Sequence, residues 1–89
     1  MRTVISVIGK DTVGIIARIS AVLSEHDIKV LDITQSVLGD LFVMVLLADI
    51  SKSRVDFTAL VGELDALGEE LGLKIHTMHE DVFNSMHRI

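Results

Sequence analysis

An α+β sandwich, in which four antiparallel strands carry two helices on one face, is the fold that the sequence predicts. Three observations carry it. Two stretches, around residues 15–23 and 57–71, repeat apolar residues at the spacing of an amphipathic helix. Four others, 2–9, 28–38, 41–50 and 73–79, read as strands. They follow one another as strand, helix, strand, strand, helix, strand within 89 residues, a length that suits one domain with one core.

Strand 1 is rich in Val and Ile on both faces and leaves through Gly9. Asp11 or Thr12 can cap the first helix, whose apolar stripe is Ile15, Ile16, Ile19, Val22 and Leu23. That helix is predicted to end near His26-Asp27. Gly39-Asp40 is a two-residue turn signal between strands 2 and 3, with Gly free to take positive φ. Ser53 is predicted to start the second helix, as Ser53 with Asp56 fits a capping box. Its buried stripe is Phe57, Leu60, Leu64, Leu67 and Leu71, and Gly72 suits a left-handed C-terminal cap. In strand 4, Leu73, Ile75 and Thr77 share a face, and Lys74 suits an edge, where charge discourages stray pairing. This order predicts a ferredoxin-like βαββαβ sandwich with strand order 4-1-3-2. Residues 1–80 form the domain. Residues 81–89 form a tail, with Val82, Phe83, Met86 and Ile89 at helical spacing, predicted to pack on the sheet or on a neighbour.

One pattern does not suit an isolated monomer. A sheet covered on one side alternates apolar and polar residues. Strand 3 does not: Phe42, Met44 and Leu46 face one way, and Leu41, Val43, Val45 and Leu47 the other. A partner subunit or the tail is expected to cover the second face.

Composition excludes several functions. With no cysteine there is no disulfide, thiolate metal site or cysteine nucleophile. The apolar run after Arg2 is too short for a secretory signal, and the longest, Leu41 to Ala48, is far below a membrane span. A cytoplasmic location is expected. The formal charge is −5, the eight Lys and Arg are scattered, and there is no Trp or Tyr. Direct nucleic-acid binding is therefore not expected, because phosphate neutralisation and base stacking need the opposite composition.

Residues 9–17, GKDTVGIIA, put a glycine where a helix starts, although glycine there costs about 1 kcal/mol against alanine. Gly14 answers either to tight helix–strand packing or to the approach of a ligand or neighbouring chain. Asp11 is either a cap alone or a cap that also meets ligand. Asp32 and Thr34 either face solvent on an edge strand or sit at a subunit interface. No two of the four histidines have metal-ligand spacing, and they are expected to be exposed. No serine stands in a G-x-S-x-G elbow, and the loop after strand 1 has Lys10 as its only cation, so no catalytic set is seen. No metal or cofactor is called for.

The segments VIGKDTVGIIARIS and IKVLDITQS, in this order of strands and helices, resemble the ACT domain over about residues 2–79. The resemblance is nearest to stand-alone members similar to the repressor of the glycine cleavage system. It implies a regulatory module rather than a catalyst. It also implies a homodimer that binds a small effector, an amino acid, where the loop after strand 1 meets strand 2 of a neighbour, and that controls a partner protein. Carried onto this chain, the ligand-binding residues are Asp11, Thr12, Val13, Gly14, Ile15, Lys29, Leu31 and Asp32. The interface residues are Ile33, Gln35, Phe42, Met44, Phe83 and Met86. The chain departs from amino-acid-binding members at Asp11, where an amide is frequent, at Lys29, where Asn is frequent, and at Thr12-Val13, where Arg-Pro is frequent. The alternative is a ligand-free interaction module that docks a protein through the sheet face and tail.

Overall fold

The computed structural model describes residues 2–10 and 14–86. Its elements are β1 (Arg2–Lys10), α1 (Ile15–Glu25), β2 (Lys29–Leu38), β3 (Leu41–Asp49), α2 (Phe57–Leu71), β4 (Lys74–His79) and α3 (Glu80–Met86). The sheet runs β2-β3-β1-β4 and every pairing is antiparallel. This is the expected ferredoxin-like topology, with β1 and β3 central.

Directly opposed residues of paired strands share a face, so the register sorts the side chains. Ile5, Val7, Met44, Leu46 and Ile75 lie on one face and are buried with Ile19, Leu23, Leu60 and Leu64 from the helices. Each fully buried Leu or Ile contributes about 1.5–3 kcal/mol. On α1 the stripe holds at Ile15, Ile19 and Leu23, whereas Ile16 is exposed. Thr3, the one buried polar side chain among the described residues, donates from Oγ1 to the Met78 carbonyl at 2.6 Å.

Two helix starts differ from expectation. The N-cap of α1 is Gly14, at φ 87°, not Asp11 or Thr12, which lie outside the described residues. The N-cap of α2 is Asp56, whose carboxylate accepts the Ala59 N–H at 2.8 Å. Ser53 does not cap: its hydroxyl closes a local turn on Val55, accepting the N–H and donating to the carbonyl. Three residues later, Asp56 meets a free first-turn amide. The end of α2 is as expected, with Gly72 left-handed and its N–H bonded to the Gly68 carbonyl.

Gly9 is a close-approach position. A Cβ there would lie 2.4 Å from Leu73 Cδ2 and 3.3 Å from Leu73 Cα. The strand thus touches the turn between α2 and β4, and no larger residue fits without a shift.

The tail begins as a helix. α3 contacts β1 and β4, and Arg2 bonds Glu80 Oε1 through Nε at 3.1 Å and through the guanidinium NH2 at 2.8 Å. Val4 faces away from α1 and α2, opposite Leu47 and Met78, yet is only 3% exposed. The Arg2–Glu80 bond places the start of α3 at the Val4 end of the sheet. Beyond that end the second face stays open: Ile8, Leu38 and Leu41 are exposed.

Candidate functional site

The expected ligand-binding residues fall into two groups. The first lies where β1 delivers the chain to α1. Among the described residues the first helical bond runs from the Arg18 N–H to the Gly14 carbonyl at 3.0 Å. A helix start carries a partial positive charge on its first amides, an arrangement that suits a carboxylate. Gly14 is exposed, and a Cβ there would meet nothing within 4 Å. Tight helix–strand packing is therefore not what Gly14 serves. Its left-handed φ is. Ile15 is buried in the core, so it offers a ligand backbone and not side chain. Asp11, Thr12 and Val13 lie outside the described residues.

The second group, Lys29, Leu31 and Asp32, lies at the start of β2, all exposed. Leu31 is the extra residue of a bulge between Val30 and Asp32, and Asp32 turns its Oδ1 onto the Ile33 N–H at 2.8 Å. The register puts the two groups apart. Lys29 aligns through Asp49 with Arg2, whereas Lys10 aligns through Leu41 with Leu38. Within one chain they sit at opposite ends of the sheet, about 26 Å apart along the strands.

Beside Lys29 lies a pocket of about 190 Å³ lined by Asp27, Lys29, Asp49, Ser51 and Lys52. Asp49 Oδ1 accepts the Ser51 N–H at 2.9 Å. That bond, the Ser51 hydroxyl and the Lys29 charge hold its carboxyl below the ordinary 3.8. Asp27, left-handed at φ 57°, accepts from Arg54 Nε at 2.6 Å. Next to it His26 Nε2 meets Glu63 Oε2 at 2.6 Å and ties the end of α1 to α2. Asp27, Asp49, Ser51 and Lys52 carry no motif. The pairing of Lys29 with Asp49 brings them together, and the bond from the Arg54 N–H to the His26 carbonyl joins the same two segments.

Two expected interface residues are corrected. Phe42 and Met44 are 5% and 0% exposed, because they share the face that α1 and α2 cover. The alternation of β3 was legible, but the open face is the other one, with Leu41, Val43, Val45 and Leu47. Ile33 and Gln35 are exposed on β2, Phe83 is half-buried, and Met86 ends α3. The histidines are not uniformly exposed either. His26 is hydrogen-bonded to Glu63, and His79 stacks on Phe57 with ring centroids 4.3 Å apart. Among the described residues no three His, Asp or Glu side chains are grouped to hold a metal. No helix among them is long and apolar enough to cross a membrane.

A family model for the ACT domain matches residues 2–78. The chain belongs to the ACT domain family. It is 51% identical over 88 residues to a UPF0237 protein of Methanocaldococcus jannaschii, a match covering 99% of this chain and 98% of that one. Among solved structures it is similar to an ACT domain protein from Streptococcus pneumoniae, with a TM-score of 0.80, 36% identity and 93% of each chain covered. A putative glycine cleavage system transcriptional repressor shares the fold, with a TM-score of 0.70, 20% identity, and 85% of this chain and 43% of that one covered. The ACT domain is a regulatory ligand-binding module.

Proposed function

We propose that this ACT domain is a homodimer that binds a small effector, an amino acid, between its subunits and thereby controls a partner protein in the cytoplasm. It performs no catalytic step of its own. The observation that carries the reading is the separation of the two site halves on a chain whose β2 edge is exposed along all ten residues. If β2 pairs with β2 of a second copy about a two-fold axis, the strands run antiparallel. Lys29 to Asp32 of one copy then come to the sheet end that holds Gly14 of the other. Each dimer so built has two equivalent sites, and neither is complete in one chain.

The edges support β2 as the joining strand. β4 is short and carries Lys74 and His76 outward, features that discourage pairing. β2 has no proline, its lone lysine is at its first residue, and Leu31, Ile33, Val37 and Leu38 are exposed. A ligand that bridges subunits binds one dimer geometry better than another and shifts the population that a partner meets.

The test is a dye-based thermal-shift screen against amino acids and common metabolites, with mass measured by sedimentation. Saturation at about 100 times Kd adds about 2.7 kcal/mol, on the order of ten degrees in Tm for this size. A dimer that responds to one chemical class supports the reading. A monomer at all concentrations, or a flat screen, overturns it. A flat screen favours a ligand-free docking module instead, for which the open face with Ile8, Leu38 and Leu41 is the motivating observation.

A further inference from the structure

The pocket beside Lys29 holds two lysines that make no ion pair among the described residues. Its two carboxylates already have donors: Asp27 holds Arg54, and Asp49 holds the Ser51 N–H. Its two lysines do not. Among the described residues neither Lys29 nor Lys52 reaches a carboxylate within ion-pair distance. Its lining carries two lysines and two aspartates, on a chain whose net charge is −5. Its volume of about 190 Å³, below the ~300–1,000 Å³ of ordinary ligand pockets, suits a carboxylate-sized group.

We propose that the effector carries two anionic groups, as a dicarboxylic amino acid does, and that Lys29 and Lys52 hold the second of them. This rests on the dimer reading above, in which the start of β2 faces the partner's α1. The helix-start amides of one copy take the first carboxylate, and the lysine pocket of the other takes the second. A neutral amino acid leaves the pocket's cations unmatched. Asp27 and Asp49, on the same wall, favour a ligand that also brings an ammonium group over one that is purely anionic.

Calorimetric titration of the full chain with L-aspartate, L-glutamate, succinate, L-asparagine and L-glutamine tests this, in the native protein and in Lys52→Ala and Lys29→Gln. Both lysines are exposed, so the variants are expected to keep the native Tm. The acids are expected to bind roughly tenfold or more tighter than their amides, the scale of one charge-assisted contact. Each substitution should remove about tenfold for the acids and little for the amides, with Lys52→Arg restoring most of it. Succinate equal to the amino acids supports the lysine pocket and removes the ammonium preference. Amides binding as tightly as acids, or discrimination that survives both substitutions, overturns the proposal while the dimeric sensor stands. No binding of any of the five overturns it outright, and a response to other amino acids in the thermal-shift screen then shows whether the sensor reading survives.

Discussion

Gly9 and Gly14 stand five residues apart and look alike in the sequence, yet they answer to different constraints. At Gly9 the constraint is space: an added Cβ meets Leu73. Gly9→Ala is expected to cost about 1–3 kcal/mol through overpacking, read as a fall in Tm by thermal melting. At Gly14 space is open and the constraint is φ. Gly14→Ala is expected to cost about 1–2 kcal/mol through left-handed strain alone. A Gly9→Ala variant that melts with the native protein would refute the close approach. Both glycines were legible as special, but the space that Gly9 needs is set by a turn more than sixty residues away, which nothing local reveals. Asp49 gives a second test. Its pKa is lowered, so the stability it contributes is present above the unfolded value and is lost as pH falls through the lower folded one. Its carboxyl carbon is expected to titrate below 3.8 by NMR. In Ser51→Ala the midpoint should rise toward that value without reaching it, because the backbone N–H remains.

At the scale of elements, capping decides where α2 begins. Ser53 and Asp56 both suit a cap by residue type, and the structure spends the Ser53 hydroxyl on Val55. Asp56→Ala is therefore expected to cost about 0.5–2 kcal/mol, and Ser53→Ala less. Equal losses in chemical denaturation would argue for the earlier start. The tail is testable in the same way. Removing residues 80–89 takes away the Arg2–Glu80 pair and the helix at the Val4 end of the sheet. The exposed pair is worth little, ~0–1 kcal/mol, so the expected loss is chiefly the burial of Val4, about 1.5–3 kcal/mol. A truncated chain as stable as the whole would show that Val4 gains nothing from α3. Helical spacing in the tail was readable, but its docking against β1 and β4 was not, as nothing local sets which strands it meets.

For the whole molecule the decisive feature is an asymmetry between sheet edges. β4 is short, charged and closed at one end by α3, whereas β2 is long and exposed throughout. Ile33→Lys places a charge in the middle of β2, opposite Leu46 of β3 and open to solvent. The fold should survive, since Ile33 is no part of the buried core. The expected result is a folded monomer by sedimentation and circular dichroism, with the effector response lost. A dimer that persists would move the interface to the open face. The sequence signalled a second unsatisfied surface through the two-sided apolar pattern of β3. It did not say that the covered side was Phe42 and Met44, because alternation names two faces without saying which one the helices take.

Hydrophobic period and turn chemistry are local properties, and they alone settled the six main elements, their order and the strand topology. The left-handed cap at Gly72 and the turn at Gly39 likewise follow from residue type. Register, face and proximity are properties of pairing, and only the tertiary structure decided them. It separated Lys29 from the Gly14 end by the length of the sheet. It gathered Asp49, Ser51 and Lys52 beside Asp27 and Lys29 from two segments with no motif between them. A charge pattern spread over separate strands and loops leaves no periodic trace along the chain, so a site made of it becomes visible only after the strands have paired.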